Sequence, residues 1–196
     1  MIGITSDSGN YSFLVLDRHY VGKIGVGQTV YAVCYTCLAG LPADDPHNFA
    51  LIHFTPRVSL AARIVDTNPF GKNPPKLTFS FDVPYDPAFE QSSSTARVQG
   101  VYTTNLGTGY TLTIAIDATG QVTGNDTNGC NLAGNISSSH PAVDYYDVVL
   151  DVSACGNIDG RYNGNAALLF DNTGAATALF LSASNSKAAI GWQLDR

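Results

Sequence analysis

Helical signal is nearly missing from these 196 residues: no long stretch repeats its apolar positions with the 3.6-residue period of a helix. The nearest approach, DPAFEQSSSTARVQG (residues 86–100), is too polar and serine-rich to bury a face. Charge is scarce too. Charged residues make up 13% of the chain, about half the usual share for a soluble domain. The 10 Lys and Arg are scattered along it, which excludes nucleic acid as a partner, because phosphate binding needs clustered cations. No apolar run approaches the ~18 residues of a membrane helix, so no transmembrane segment is expected. The opening MIGITSDSGNYSF lacks the basic segment and long apolar run of a signal peptide. Met1 fits either the start of a cytoplasmic protein or the place of a removed signal, together with any lipid anchor, and the composition favours the second.

Catalytic signatures are also missing. There is no H-x-x-x-H or H-E-x-x-H, no G-x-S-x-G elbow, no phosphate loop and no dinucleotide fingerprint. The four histidines, His19, His47, His53 and His140, stand apart from one another. The chain is expected to be no enzyme and to hold no metal and no cofactor. A hydrolase assembled from distant residues is kept only as a remote alternative.

What is present is period-2 alternation. Hydrophobic residues make up 44%, and 19 glycines with many Ser, Thr and Asn take the place of charges. That is how exported β proteins keep their surfaces polar. In YTLTIAID, Tyr110, Leu112, Ile114 and Ile116 share one face. In DYYDVVLDVS, Tyr146, Val148, Leu150 and Val152 oppose Tyr145, Asp147, Val149 and Asp151. One wet and one dry face with frequent turn residues implies antiparallel sheet, closed as a barrel or stacked as a sandwich. Eight strands are expected near 98–104, 109–117, 120–124, 130–137, 144–153, 160–170, 175–183 and 187–194. Their short joints fit an up-and-down barrel. Six more strands, near 10–17, 20–26, 29–36, 48–54, 58–65 and 75–82, have longer, proline-rich links. The fold class is therefore all-β: an antiparallel up-and-down β-barrel in the C-terminal half with an N-terminal β-sheet extension or small subdomain. The boundaries read 1–85, a linker at 83–96, and 97–196, with one continuous domain as the alternative.

Cys130 opens one expected strand and Cys155 closes the next. Antiparallel neighbours place these positions at the same open end, within the ~5.5–6 Å Cα separation a disulfide needs. Such a bridge stabilises by roughly 3 kcal/mol. Cys34 and Cys37 form CYTC, with no helix following to make a thioredoxin-type site. A local disulfide is the first reading there, free or redox-active thiols the second, and metal the last. Paired cysteines suit the periplasm or exterior. Asp44, Asp45 and His47 read as a solvated acidic loop, available to a partner protein and less suited to a cation. Tyr102, Tyr110, Tyr146, Tyr162 and Trp192 are candidates for lining a ligand cavity, with ordinary core packing as the alternative.

The C-terminal half carries Gly100, Tyr102, Leu112 to Ile114, Gly120, Gly124, Gly129, Cys130, Gly134, Tyr146 to Val148, Cys155, Gly160, Tyr162, Gly164 and Ala166. On these residues it resembles a group of exported β-barrel proteins and lipoproteins of proteobacteria. Ser12 to Asp17, SFLVLD, is similar to the opening of their N-terminal half. The resemblance implies export to the periplasm, outer membrane or exterior of a Gram-negative bacterium, and a lipocalin-like or transferrin-receptor-lipoprotein-like barrel. It implies no catalytic residues, and CYTC is not part of the pattern. The functional expectation is a non-enzymatic binding protein, an inhibitor or immunity-type protein that meets an effector, toxin or hydrolase through acidic loops. A lipocalin-like carrier of a small apolar ligand is the alternative.

Overall fold

The structure is a computed structural model that describes residues 2–5, 10–15, 18–23, 29–33, 48–55, 59–66, 76–84, 86–105, 109–186 and 188–196, with backbone alone through residue 84. The chain divides into two compact units, Met1–Pro87 and Ala88–Arg196. The division falls inside the stretch expected as a linker, and residues 88–96 belong to the second unit.

The first unit contains two antiparallel sheets. One runs β1 (Ile2–Thr5), β2 (Asn10–Val15), β3 (Arg18–Lys23); the other runs β4 (Thr29–Val33), β5 (Asn48–Thr55), β6 (Ser59–Asp66), β7 (Lys76–Pro84). Segments such as NFALIHFT and KLTFSFDVP are rich in aromatic and branched residues, which favour a pleated surface. The register places His53 between Thr29 and Ala61. β1 has no counterpart among the expected strands because four residues are too few to show alternation.

The second unit is a closed eight-stranded barrel. Its strands are β8 (Gly100–Asn105), β9 (Thr111–Ile116), β10 (Gln121–Asp126), β11 (Asn131–Ser137), β12 (Tyr146–Ser153), β13 (Gly160–Phe170), β14 (Ala176–Ser184) and β15 (Ala189–Asp195). Each pairs antiparallel with its chain neighbour. Among the described residues, β15 closes onto β8 through one pair, Asp195↔Thr103. The alternation does what it predicts: Leu112, Ile114 and Ile116 are buried, while Thr111, Thr113 and Ala115 are only half-buried. Tyr102, Leu112, Ile114, Tyr146, Leu150 and Tyr162 belong to one packed interior cluster. Each large apolar side chain so buried stabilises the barrel by about 1.5–3 kcal/mol.

Two copies of one local device hold the barrel's ends. Val-Gln-Gly-Val-Tyr (98–102) follows helix α1 (Thr95–Val98); Ile-Asp-Gly-Arg-Tyr (158–162) follows a 3₁₀ turn at Gly156–Ile158. The residue after each helical turn takes the same extended backbone, Gln99 at φ −56°, ψ 131° and Asp159 at φ −58°, ψ 135°. Each tyrosine hydroxyl then donates back four residues, Tyr102 to the Val98 carbonyl (2.9 Å) and Tyr162 to the Ile158 carbonyl (2.6 Å). A buried phenol needs such an acceptor. Because β8 and β13 run in opposite directions, the two corners sit at opposite ends of the barrel.

Candidate functional site

One end gathers the β10–β11 and β12–β13 links. The carboxylate of Asp126 accepts the backbone N–H groups of Asn128 and Cys130, both at 2.8 Å, which shapes the turn and presents Cys130. The chain leaves β12 through Ala154 in the left-handed region (φ 60°), and the Cys155 N–H donates to Asp159 at 2.7 Å. Cys130 and Cys155 form a disulfide with their Cα atoms 4.8 Å apart, one step beyond the ladder pair Asn131↔Ser153 on the Cys130 side. Tyr110 lies here too; burial, then the adjacent charge of Asp126, pushes its hydroxyl up to about 12. This end is covalently tied and its polar groups serve turns.

The opposite end is built differently. It collects the start of β8, the end of β15, and the β9–β10, β11–β12 and β13–β14 links. Residues 88–98 cover it. Val98 is fully buried in the interior cluster, and Ser93 is buried with it. Ser93 Oγ lies 2.5 Å from Ser138 Oγ and donates to the His140 carbonyl at 3.1 Å. The Asp144 N–H donates to the Phe89 carbonyl at 2.8 Å, drawing the covering segment onto the start of β12.

Asp144 is the unusual group of this end. It is 1% exposed. Its Oδ2 accepts the Leu168 N–H at 2.7 Å, filling the place that a strand carbonyl takes farther along the β12–β13 ladder. Neither its Oδ1 nor the fully buried Tyr146 hydroxyl completes a hydrogen bond of full geometry, although the two side chains, and the Tyr146 hydroxyl and the Ser94 main chain, lie close enough to interact. Burial raises the Asp144 carboxyl to about 7, against the smaller opposing effects of the Leu168 N–H, the Arg97 charge and the Tyr146 hydroxyl. Burial, then the neighbouring Asp144 charge, pushes Tyr146 up to about 12. Arg97 does not form an ion pair with Asp144. Its guanidinium donates to the Ser92 carbonyl and the Gln91 side chain, each at 2.5 Å, and lies 5.5 Å from the Phe170 ring centroid.

Around this end runs an acidic rim. Glu90, Asp117, Asp171 and Asp195 are exposed there. Asp117 and Asp171 occupy matching Asp-x-Thr-Gly turns whose glycines, Gly120 and Gly174, stand at φ 87° and 82°. In each turn one carboxylate oxygen accepts the Thr hydroxyl and two backbone N–H groups. Those bonds, the Thr hydroxyl foremost, hold both carboxyls below their ordinary range.

The expected cavity residues do not converge on one place. Tyr102 and Tyr146 lie toward the covered end, Tyr110 and Tyr162 toward the disulfide end, and Trp192 of β15 packs half-buried against the interior cluster. Cys34, Cys37, Asp44, Asp45 and His47 lie outside the described residues. His140 meets Tyr145 edge-on, with ring centroids 5.4 Å apart. Among the described residues no three His, Cys, Asp or Glu side chains gather as metal ligands, and no helix is long and apolar enough to cross a membrane. Asp144, Ser93 and Arg97 were missed in the sequence. For Asp144 a signal was present: it shares the even parity of Tyr146, Val148 and Leu150, an acid in line with a dry face. No protein-family model matches the chain, and neither a curated protein nor a solved structure matches it.

Proposed function

We propose that the protein is an exported, non-enzymatic binding protein of the inhibitor or immunity type, whose barrel offers its acidic rim to a basic surface of a partner protein. The observation that carries this reading is the distribution of charge. Residues 88–196 hold nine Asp and Glu against four Lys and Arg, so −5 of the net −6 belongs to the barrel unit. The described cations of that unit are engaged within it. Arg97 is held by Ser92, Gln91 and Phe170. Arg196 donates to the Gln99 carbonyl at 2.6 Å and lies 5.8 Å from the Tyr102 ring centroid. Arg161 sits 3.9 Å from Asp151.

Asp117 and Asp171 meanwhile stay ionised into the acid range, because their turn hydrogen bonds hold both carboxyls below the ordinary carboxylate value. A field of one sign at one end of a rigid scaffold speeds docking to an opposite field. The packed interior, with Tyr102, Tyr146 and Tyr162 all fully buried, favours binding at the surface over carriage of a guest. The Cys130–Cys155 bridge suits an oxidising compartment.

Purification without reductant from the producing cell, followed by native mass spectrometry, tests the reading. A bound second polypeptide is expected. Its complex should weaken as salt rises from about 50 to about 300 mM and on joint Asp117→Asn and Asp171→Asn substitution. A complex indifferent to both, or an apolar small-molecule adduct in place of a polypeptide, refutes it.

A further inference from the structure

We propose that residues 88–98 form a lid over one end of the barrel, latched through Asp144, and that loss of the Asp144 proton releases it. The lid is held by a few separate contacts and no strand ladder. Phe89 is held by the Asp144 N–H, and Ser93 by Ser138 and His140. Val98 is held by its burial and by the Tyr102 hydroxyl, and Gln99, just beyond, by Arg196. Segments held this way open on their own, without unfolding the sheet beneath them.

Asp144 makes one of these contacts and joins the lid to β13. Its main-chain N–H reaches the lid while its carboxyl reaches β13. Protonated, the carboxyl keeps the Leu168 hydrogen bond at no cost in buried charge. Ionised, it is a charge 1% exposed, with one of its two oxygens lacking a hydrogen bond of full geometry. A buried charge in that state is strongly disfavoured unless water reaches it.

The groups around it do not compensate. From the lid, Arg97 acts on it through space only, its guanidinium committed to Ser92, Gln91 and Phe170. From β8 and β12 come Tyr102 and Tyr146, neutral phenols whose own ionisation is pushed up by burial; the Tyr146 hydroxyl favours the Asp144 charge less than the Leu168 N–H or Arg97 does, and all three together are outweighed by burial. From β13 comes the Leu168 N–H alone. Opening the lid is the nearest route to solvating the carboxylate. The carboxyl's raised titration to about 7 agrees with this direction. The lid does not depend on the identity of any partner, so it stands or falls apart from the binding reading above.

The linkage fixes the size of the effect. Between the ordinary carboxylate value and about 7, the opening equilibrium rises tenfold per pH unit, then levels off. Hydrogen exchange of the full-length protein tests it at pH 5 and pH 7, corrected for intrinsic rates. The amides of Arg97, Val98 and Gln99, which donate within the lid, are expected to lose roughly fiftyfold protection over this interval, the last unit being already half levelled. The β12–β13 ladder amides should keep their higher protection throughout. In Asp144→Asn the lid amides should show no such pH dependence, and in Ser93→Ala they should exchange faster at both values with the same slope. Equal slopes in wild type and Asp144→Asn overturn the proposal. So does wild-type protection of the lid amides equal to that of the β12–β13 ladder at both pH values, which would mean that the segment opens only when the sheet unfolds, a comparison that needs no variant to fold.

Discussion

Joint replacement of Cys130 and Cys155 by alanine isolates what the covalent tie contributes. The two residues are 25 apart in sequence, for which the chain-entropy relation gives about 3.5 kcal/mol of destabilisation on loss of the bridge. The native barrel is expected to survive the cut. The β11–β12 ladder already holds Asn131 against Ser153 beside the bridge, and the turns around Asp126 and Asp159 are made by carboxylate and backbone groups. The effect therefore falls on the unfolded chain, which regains the freedom the bridge removes. Urea unfolding measures this. Trp192 is the only tryptophan and lies on β15, so its fluorescence reports on the barrel unit. With a denaturant slope of about 2 kcal/mol per molar, the midpoint should fall by roughly 1.7 M. A fall below about 0.5 M, with the slope unchanged, would refute the reasoning; it would mean that the reduced chain keeps these strand ends together even when unfolded.

Gly164→Ala places a Cβ 1.9 Å from the Ser182 carbonyl oxygen and 2.4 Å from Ala183 Cα. Backbone cannot yield cheaply there, so thermal denaturation should show a loss of about 3 kcal/mol or more. Gly129→Ala, at φ +90° with nothing within 4 Å of the new Cβ, should cost only about 1 kcal/mol. Asp144→Asn should change the pH profile of global stability. The raised carboxyl makes the wild type most stable near the ordinary carboxylate value, losing about 1.4 kcal/mol per pH unit up to about 7, while the variant lacks this slope; parallel urea profiles for the two would contradict the buried titration. Tyr102→Phe and Tyr162→Phe each remove one hydroxyl-to-carbonyl bond, the latter together with the Asn185 side-chain contact, and should each lose about 1 kcal/mol from the shared carbonyl bond in calorimetry. Strongly unequal losses would argue against the equivalence of the two corners.

The barrel was legible because its strands alternate cleanly. The stretch expected at 160–170 is Gly160–Phe170 in the structure, and that expected at 130–137 is Asn131–Ser137. The turn residues between them point to hairpins, and hairpins joined in series have few ways to close. The covered end was not legible. Its helical turns, Pro87–Glu90 and Thr95–Val98, are four residues each, shorter than a period analysis can register. Ser93 reveals nothing locally, because what distinguishes it is burial against Ser138 and His140, more than 40 positions away; Asp144 shows only its parity with the dry face. The tyrosines show the limit of residue type as a guide. An aromatic on a dry face is equally suited to a cavity wall or a packed core, and only the neighbouring strands decide which.

Each ladder of the barrel except β15–β8 joins strands that are consecutive in the chain. During synthesis every hairpin from β8 onward can therefore pair as it emerges, whereas the ring waits for Asp195 to reach Thr103. Until then β8 has one unpaired edge, and each newly made strand in turn supplies the other. Exposed edges of this kind recruit foreign strands. The interval in which the barrel is most open to misassembly thus runs until β15 is in place, when nearly all of its sheet has already formed.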